Sequence, residues 1–508
     1  MGFLNYQPVE LTFGTSGLRG LVADMTDLEC YINTLGFLKY VESLGQLSGK
    51  VYIAGDLRSS TPRILAAVAH AISDMGQEVV NCGFIPTPAL AYYAQLQTSP
   101  CVMVTGSHIP DDRNGIKFYR VDGEILKEDE LSIKQHVGQV RERLYVDGAA
   151  SFSPEGASLS PAALTEVDDA AARAYIARFT DVFASDLLRD QLVVVYQHSA
   201  VGRDLYVEVL EALGATVEAV GWSEKFIPID TENVTLEDQK YFEQLAQQFP
   251  NALAIVSSDG DSDRPFLIDE TGYFHRGDEL GLLVATALHA DAAAVPISSS
   301  DAVEQHLAAE NVPLALTRIG SPYVIAAMKE ATQAGARRVV GWEVNGGFMT
   351  GSSIDIDGKT LQPLATRDAL LPILVALWRS RVSGVKVSEC FAQFPKRFTQ
   401  AGLIDNFAVE VSQKLIEQFS DDNEENRSAL MGVFSQELGF GKLVRINSLD
   451  GVRMYFDNDE IAHIRPSGNA PQLRIYSVSK SQERADEIVR QGLVEPEGTL
   501  RCLEQLVL

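Results

Sequence analysis

Short apolar runs of strand length alternate along nearly the whole chain with longer stretches whose apolar residues recur every three or four positions. That alternation is the mark of layered α/β structure. The first cycle predicts a strand at 51–55 (VYIAG), a helix over 61–76, a strand at 78–83 (EVVNCG), a helix over 88–97 and a strand at 101–106 (CVMVTG) opening onto SHIPDDRNG. A second cycle runs through strand 192–197 (LVVVYQ), helix 204–214, strand 216–221, helix 240–249 and strand 252–258 (ALAIVSS), which opens onto DGDSDR. A third runs through strand 294–300 (AVPISSS), helix 302–310, strand 314–320, helix 322–331 and strand 337–342 (RRVVGW), which opens onto EVNGGF.

The order recurs at a scale too long for a solenoid array, and each cycle delivers a polar or Gly-rich loop after its last strand. Ligand sites gather beyond the carboxyl ends of such strands. A Ser, Ala, Gly and Pro-rich stretch at 148–163 reads as a linker. Beyond about residue 385 the pattern changes to a helical, acidic segment over 412–432 and short strands at 443–448, 451–456, 460–466 and 473–478, which predict an α+β domain. The run DDNEEN within it reads as a solvated loop.

Length and composition agree with several globular domains. The chain has 508 residues, 46% hydrophobic and 22% charged, too long for one ordinary domain. The formal charge of −27 repels nucleic acid and anionic lipid, so a small anionic substrate requires a local basic pocket. The five cysteines (Cys30, Cys82, Cys101, Cys390, Cys502) form no metal-ligand or disulfide spacing, which fits a reducing compartment. The first residues lack the pattern of a signal peptide, and no apolar run reaches membrane-spanning length. A cytoplasmic protein is the expectation.

The chemistry lies in the loops. In VTGSHIPDDRNGIKF (104–118), Ser107 stands between small residues after a buried-looking strand. A serine so displayed acts as a nucleophile or phosphoryl carrier, or is simply structural. His108 and Lys117 are close enough in sequence to supply a proton shuttle and a cation. In SSDGDSDRPFLID (257–269), Asp259, Asp261 and Asp263 alternate in a short turn. They form either a site for a hard cation such as Mg²⁺ or a solvated acidic turn. Glu270 falls where an EF-hand loop carries its last ligand, but the match is poor, because Arg264 stands where that loop needs Gly and a strand precedes it.

GWEVNGGF (341–348) offers Glu343, Asn345 and a Gly pair, suited to sugar hydroxyls or to an ordinary turn. HIRPSGNAPQLRIY (463–476) has Arg465, Ser467, Gly468 and Asn469 in a compact turn with Arg474 returning on a strand, a phosphate cradle or an Arg-rich surface turn. LTFGTSGLRG (11–20) supplies Thr15, Ser16, Gly17 and Arg19, which could lend a cation and backbone donors. AGDLRSSTP (54–62) reads as a helix cap.

These loops, in this order, resemble those of the α-D-phosphohexomutase superfamily over nearly the whole chain. FGTSGLRG is similar to its amino-terminal loop, TGSHIP to its phosphoserine loop, DGDSDR to its metal loop, GWEVNGGF to its sugar loop and RPSGNAPQLR to its phosphate loop. The resemblance implies three related α/β domains with mixed sheets and a smaller α+β domain around a central cleft, at about 1–155, 156–272, 273–385 and 386–508. It implies a phosphomutase that moves a phosphoryl group between the C1 and C6 hydroxyls of a hexose phosphate, phosphomannomutase or phosphoglucomutase in type, through a hexose 1,6-bisphosphate.

Carried over by residue, Ser107 is the phosphoserine, and Asp259, Asp261 and Asp263 hold Mg²⁺ together with the Ser107 phosphate. Lys117, His108 and Arg19 serve proton transfer and charge stabilisation, and Arg264 meets the reacting phosphoryl group. Glu343 and Asn345 meet sugar hydroxyls, while Arg465, Ser467, Gly468, Asn469 and Arg474 hold the other phosphate. Two loops depart from the family pattern. Asn345 and Gly347 replace the Ser and His of Glu-x-Ser-Gly-His, and Asn469-Ala470-Pro471-Gln472 replaces Thr-Glu-Pro-Lys. The alternatives are a phosphoglucosamine mutase, a silent sugar-phosphate binder on the same fold, and a metal-dependent phosphatase.

Overall fold

The structure, a computed structural model, describes residues 4–507 apart from 15–16, 148–150, 233 and 468–470. They form two compact units, Met1–Ala294 with Gly320–Phe391, and Val295–Ile319 with Ala392–Leu508. The predicted α/β and α+β patterns are both present.

The cycles share one strand plan. Lys50–Gly55 pairs in parallel with Glu78–Phe84 on one side and Cys101–Val104 on the other, and Arg113–Arg120 returns antiparallel to Cys101–Val104. Leu192–Tyr196 likewise lies between Thr216–Val220 and Ala252–Ser258, with Pro265–Asp269 returning antiparallel. In the third cycle Val339–Trp342 runs parallel to Ala292–Pro296, and Phe348–Thr350 returns antiparallel. Each chemically promising loop is therefore a tight reversal between a buried parallel strand and its antiparallel neighbour. Such a loop has little freedom at either end.

This plan corrects two expectations. Residues 113–118, read as part of one long loop, belong to the strand Arg113–Arg120, because Ile116 and Phe118 fill the core. The predicted strand 294–300 stops at Pro296, and Ser300 instead caps the helix Asp301–Ala309 by accepting from the Ala302 N–H.

The first core forms where Ile53, Val102, Val104, Ile116 and Phe118 meet the helices Asp27–Ser43 and Thr61–Asp74 through Leu35, Phe37, Leu38, Ile64 and Val68. Phe37 stacks on Phe118 with ring centroids 4.5 Å apart. The described part of the predicted linker is anchored here. Phe152 is buried against Tyr31 and His70, and Gly156 O accepts from Leu28 N at 2.9 Å. One aromatic side chain in a small, polar run is enough to dock the segment, since burying it stabilises by about 1.5–3 kcal/mol.

The second unit carries an antiparallel sheet in the order Phe398–Asp405, Gln472–Ser479, Ile461–Pro466, Val452–Phe456, Leu443–Asn447. Its core includes Phe434, Met454, Ile464, Ile475 and Ile488. The edge strand Phe398–Asp405 escapes sequence reading because its apolar residues do not alternate cleanly and Leu403 is exposed. The predicted helix over 412–432 is two helices, Val409–Gln418 and Glu424–Met431. Asn423 caps the second, so half of DDNEEN is helical rather than loop. Among the described residues no helix is long and apolar enough to cross a membrane.

Candidate active site

Ser107 sits at the first reversal with φ 55°, a left-handed conformation uncommon outside glycine that costs of order 1–3 kcal/mol. The loop around it is over-determined. Arg58, almost fully buried, donates from Nη2 to Ser107 O at 2.9 Å and Ile109 O at 2.5 Å, and from Nη1 to Pro110 O at 2.7 Å and Arg113 O at 3.0 Å. Its Nε pairs with Asp56 Oδ2 at 3.1 Å. Asp56 in turn accepts from Thr105 Oγ1 at 2.7 Å and Gly106 N at 3.3 Å. A Cβ on Gly106 would lie 2.6 Å from the Arg58 Cζ, so only glycine admits the guanidinium.

The turn 54–62 thus does more than cap a helix. Ser60, at the N-cap of Thr61–Asp74, makes no side-chain cap bond, and Asp56 reaches the serine loop instead.

Held in this way, Ser107 Oγ donates to Asp259 Oδ2 at 2.7 Å and lies 3.3 Å from His108 Nδ1. Asp259, Asp261 and Asp263 are all fully buried, and their ligand oxygens lie within 4.8 Å of one another. Lys117, on the antiparallel strand, donates to Asp261 Oδ2 and Asp263 Oδ2, each at 2.6 Å. Arg264 Nε lies 3.8 Å from Asp259 Oδ2 and 3.6 Å from Asp263 Oδ1, while its Nη1 donates to His108 Nδ1 at 2.8 Å. That bond makes Nδ1 the acceptor, so the ring proton lies on Nε2.

Burial sets the electrostatics. Burial, with Asp261 and Asp263 beside it, pushes the Asp259 carboxyl well above the usual range. Burial pushes Asp263 the same way, but Arg367, Lys117 and Arg264 outweigh it and hold that carboxylate low. Burial lowers Lys117, yet Asp261 and Asp263 more than compensate and the ammonium is kept charged. Burial first, then Arg264 and Arg19, drive His108 far below its ordinary value, so its imidazole is neutral.

The donor set fits a hard divalent cation. It consists of carboxylate oxygens alone, and Asp261 Oδ1 and Asp263 Oδ1 are buried with no hydrogen-bond partner among the described residues.

The third reversal stands beside this turn. Glu343 Oε2 accepts from Arg367 Nη1 at 3.0 Å, and Arg367 Nε donates to Asp263 Oδ2 at 3.0 Å. Both ends of the Asn345 amide are used within the protein. Its Nδ2 donates to Glu232 Oε1 at 3.1 Å and its Oδ1 accepts from Gly347 N at 3.0 Å. Arg19 is on the strand Gly17–Leu21, opposite Gly115 and two positions along from the Gly17–Lys117 pair. Burial, with Arg264 and Arg367 nearby, lowers it to about 10, and it remains a cation at neutral pH.

The phosphate-cradle residues belong to the second unit. Arg465 and Arg474 face each other across an antiparallel pair. Arg465 Nε donates to Asp450 Oδ1 at 3.0 Å, and Arg474 Nε is buried with no partner among the described residues. Ser467 N donates to Gln472 O at 3.0 Å, closing the hairpin. Gly468 and Asn469 lie outside the described residues, as do Thr15 and Ser16.

Sequence reading missed Asp56, Arg58, Glu232 and Arg367. The Asp-x-Arg of the turn after strand Lys50–Gly55 was a usable signal for the first two, because a buried strand rarely opens onto a charged pair without a partner for it. Nothing local marks Arg367, whose partner Asp263 is 104 residues away.

Residues 10–144 match the family description Phosphoglucomutase/phosphomannomutase, alpha/beta/alpha domain I, and residues 276–398 match its domain III. A phosphomannomutase from Salmonella muenchen is 40% identical over 94% of both chains. A phosphoglucosamine mutase from a Thermotoga species is 27% identical over 94% of this chain and 98% of its own. The crystal structure of a phosphoglucomutase/phosphomannomutase family protein from Burkholderia thailandensis shares the fold with TM-score 0.71 at 17% identity, covering 96% of this chain and 97% of its own. Fold, loop order and relatedness along almost the whole length agree, and the chain belongs to the phosphoglucomutase/phosphomannomutase family of α-D-phosphohexomutases.

Proposed function

We propose that this mutase interconverts hexose 1-phosphate and hexose 6-phosphate through a phosphoserine at Ser107, with mannose phosphate as the favoured substrate. The single observation that carries the reading is the Ser107 Oγ bonded to a buried acidic turn that Lys117, Arg264 and Arg367 partly neutralise. The higher identity to a phosphomannomutase than to a phosphoglucosamine mutase supports mannose over an amino sugar. We further assign four domains at about 1–155, 156–272, 273–385 and 386–508.

Asp259, Asp261 and Asp263, with an oxygen of the Ser107 phosphoryl group, would hold Mg²⁺, which supplies positive charge to that group. Phosphoryl transfer is chiefly positioning and charge stabilisation, because negative charge spreads over the equatorial oxygens. Lys117, Arg264 and Arg19 meet that charge. The substrate hydroxyl gives up its proton as its oxygen bonds to phosphorus. The Oγ–P bond breaks, and the proton lost by the substrate hydroxyl ends, in net, on Ser107 Oγ, with neutral His108 on its flank. The hexose 1,6-bisphosphate then turns over and returns its other phosphate to Ser107. Glu343 orients the sugar. Arg465, Ser467, Gly468, Asn469 and Arg474 hold whichever phosphate is not being transferred.

The test pairs a substrate panel with intact mass. Mannose 1-phosphate should convert faster than glucosamine 1-phosphate in the presence of hexose 1,6-bisphosphate, and the protein should gain one phosphoryl group. Ser107→Ala should gain none and lose nearly all turnover while remaining folded. A phosphorylated or fully active Ser107→Ala protein would refute the assignment.

A further inference from the structure

The sugar loop holds two glycines in sequence, and they are glycine for different reasons. Gly346 has φ 86°, a left-handed turn that favours glycine. Gly347 has no such backbone demand. A Cβ there would lie 2.6 Å from both Cγ and Cδ of Arg367 and 2.8 Å from its Cβ. The aliphatic stem of Arg367 therefore crosses the sugar loop where any side chain at 347 would stand.

That crossing delivers the guanidinium to two places at once. Nε and Nη2 each lie 3.0 Å from Asp263 Oδ2 on the acidic turn. Nη1 donates to Glu343 Oε2 at 3.0 Å and to Ser321 Oγ at 2.9 Å. Ser321 Oγ donates to Glu124 Oε2 at 2.8 Å, so the fork is braced from behind. A planar fork can serve two carboxylates in fixed directions, whereas a lysine offers one point charge.

We propose that Arg367 is a positioning residue that couples the sugar loop to the acidic turn, and that Gly347 is glycine so that Arg367 can pass. Through one side chain, the orientation of Glu343 toward a sugar and the charge felt by a cation at Asp263 are set together. The same arrangement accounts for the departure at position 347, since the space that a larger residue would fill is taken by Arg367. The sugar side of this assignment rests on the function proposed above, and the cation side does not.

The experiment is a double-substitution cycle on the full-length protein. Wild type, Gly347→Ala, Arg367→Ala and the double variant are titrated with Mn²⁺ alone by its paramagnetic resonance signal, and with mannose 6-phosphate by calorimetry. Thermal unfolding checks that each is folded. Gly347→Ala should weaken mannose 6-phosphate binding tenfold or more when Arg367 is present and less than twofold when it is Ala. Arg367→Ala should bind Mn²⁺ at least threefold more tightly, because a positive charge has left the carboxylates, and adding Gly347→Ala should change that affinity no further.

Equal losses from Gly347→Ala in both backgrounds, or unaltered Mn²⁺ affinity in Arg367→Ala, would overturn the proposal. If Arg367→Ala does not fold, Arg367→Lys decides. It should keep Mn²⁺ affinity within twofold while losing mannose 6-phosphate binding tenfold, and retention of both would overturn the coupling. Should wild type bind neither mannose nor glucose 6-phosphate while the Mn²⁺ results hold, the proposed substrate class fails and the link to the acidic turn stands.

Discussion

Replacing Arg58 by Met keeps the length and removes the fork that organises the serine loop. Arg58 is 1% exposed, and its guanidinium bonds to Asp56 and to four carbonyls within 107–113. Breaking a buried ion pair from one side costs about 3–5 kcal/mol. Each bond to a charged donor contributes about 1.5–3 kcal/mol on its own, but four acceptors in one loop relax together and do not add. Asp56 retains Thr61, Thr105 and two backbone N–H groups, so its own loss is softened.

The expected destabilisation is therefore about 3–5 kcal/mol, concentrated in the loop. With 1.4 kcal/mol per factor of ten, amide exchange at 107–113 should quicken about a hundredfold or more, while strands such as Ala252–Ser258 change far less. Hydrogen exchange by mass spectrometry, with urea unfolding beside it, reads both. Arg58→Lys should fall between wild type and Arg58→Met, because one ammonium cannot reach four carbonyls. Exchange within threefold of wild type across the loop, with stability lowered by less than about 1 kcal/mol, would refute the reasoning.

Lys117→Met takes from the buried Asp261 its ion-pair partner and leaves Asp263 to Arg264 and Arg367, so the metal-free protein should lose about 3–5 kcal/mol. Saturating Mg²⁺ should recover much of this in thermal unfolding, by mass action on the folded state. Burial holds His198 and His463 down to about 4 and about 3, against about 6.5 unfolded. The unfolded chain then takes up protons that the folded chain refuses, and stability should fall from pH 6.5 toward pH 4. His463→Gln should lose less stability than wild type between pH 7.5 and pH 5 in urea titrations. His275, raised because Asp269 and Glu279 outweigh its burial, acts in the opposite sense, its contribution present below about 6.5 and lost above. Arg465→Ala should raise KM for hexose phosphates tenfold or more in steady-state kinetics, with a smaller change in kcat.

What could be read from the sequence was whatever a local run of residues encodes. VYIAG, LVVVYQ and ALAIVSS are strands because nothing but burial suits such runs, and the loops after the third strands stood out because Gly and Asp there interrupt them. Strand order followed only loosely, since pairing depends on residues far away in sequence. The sequence marks Lys117 as a cation near Ser107, but not that a core-forming strand carries it to the acidic turn. The resemblance makes Asn345 a sugar contact, and the structure adds that its amide meets Glu232 and Gly347 N, a use of side chain that no spacing encodes. Arg58 and Arg367 carry long-range bonds of the same kind. A guanidinium in sequence declares its charge and not its reach.

The charge pattern at Ser107 also separates two uses of an acidic turn. A turn built only to hold a cation would leave its carboxylates unopposed and let the ion balance them. Here Asp259, Asp261 and Asp263 already face Lys117, Arg264 and Arg367 at 2.6–3.8 Å, a formal balance of three against three in a buried place where unpaired charge is costly. A divalent ion added alone would upset that balance by two charges. A phosphoryl group, at about −1.5 to −2 near neutral pH, would upset it equally in the other direction. Added together they nearly cancel. Cations already facing the carboxylates are therefore what the proposed function calls for, a turn that receives a metal together with a phosphoryl group on Ser107 rather than a metal alone.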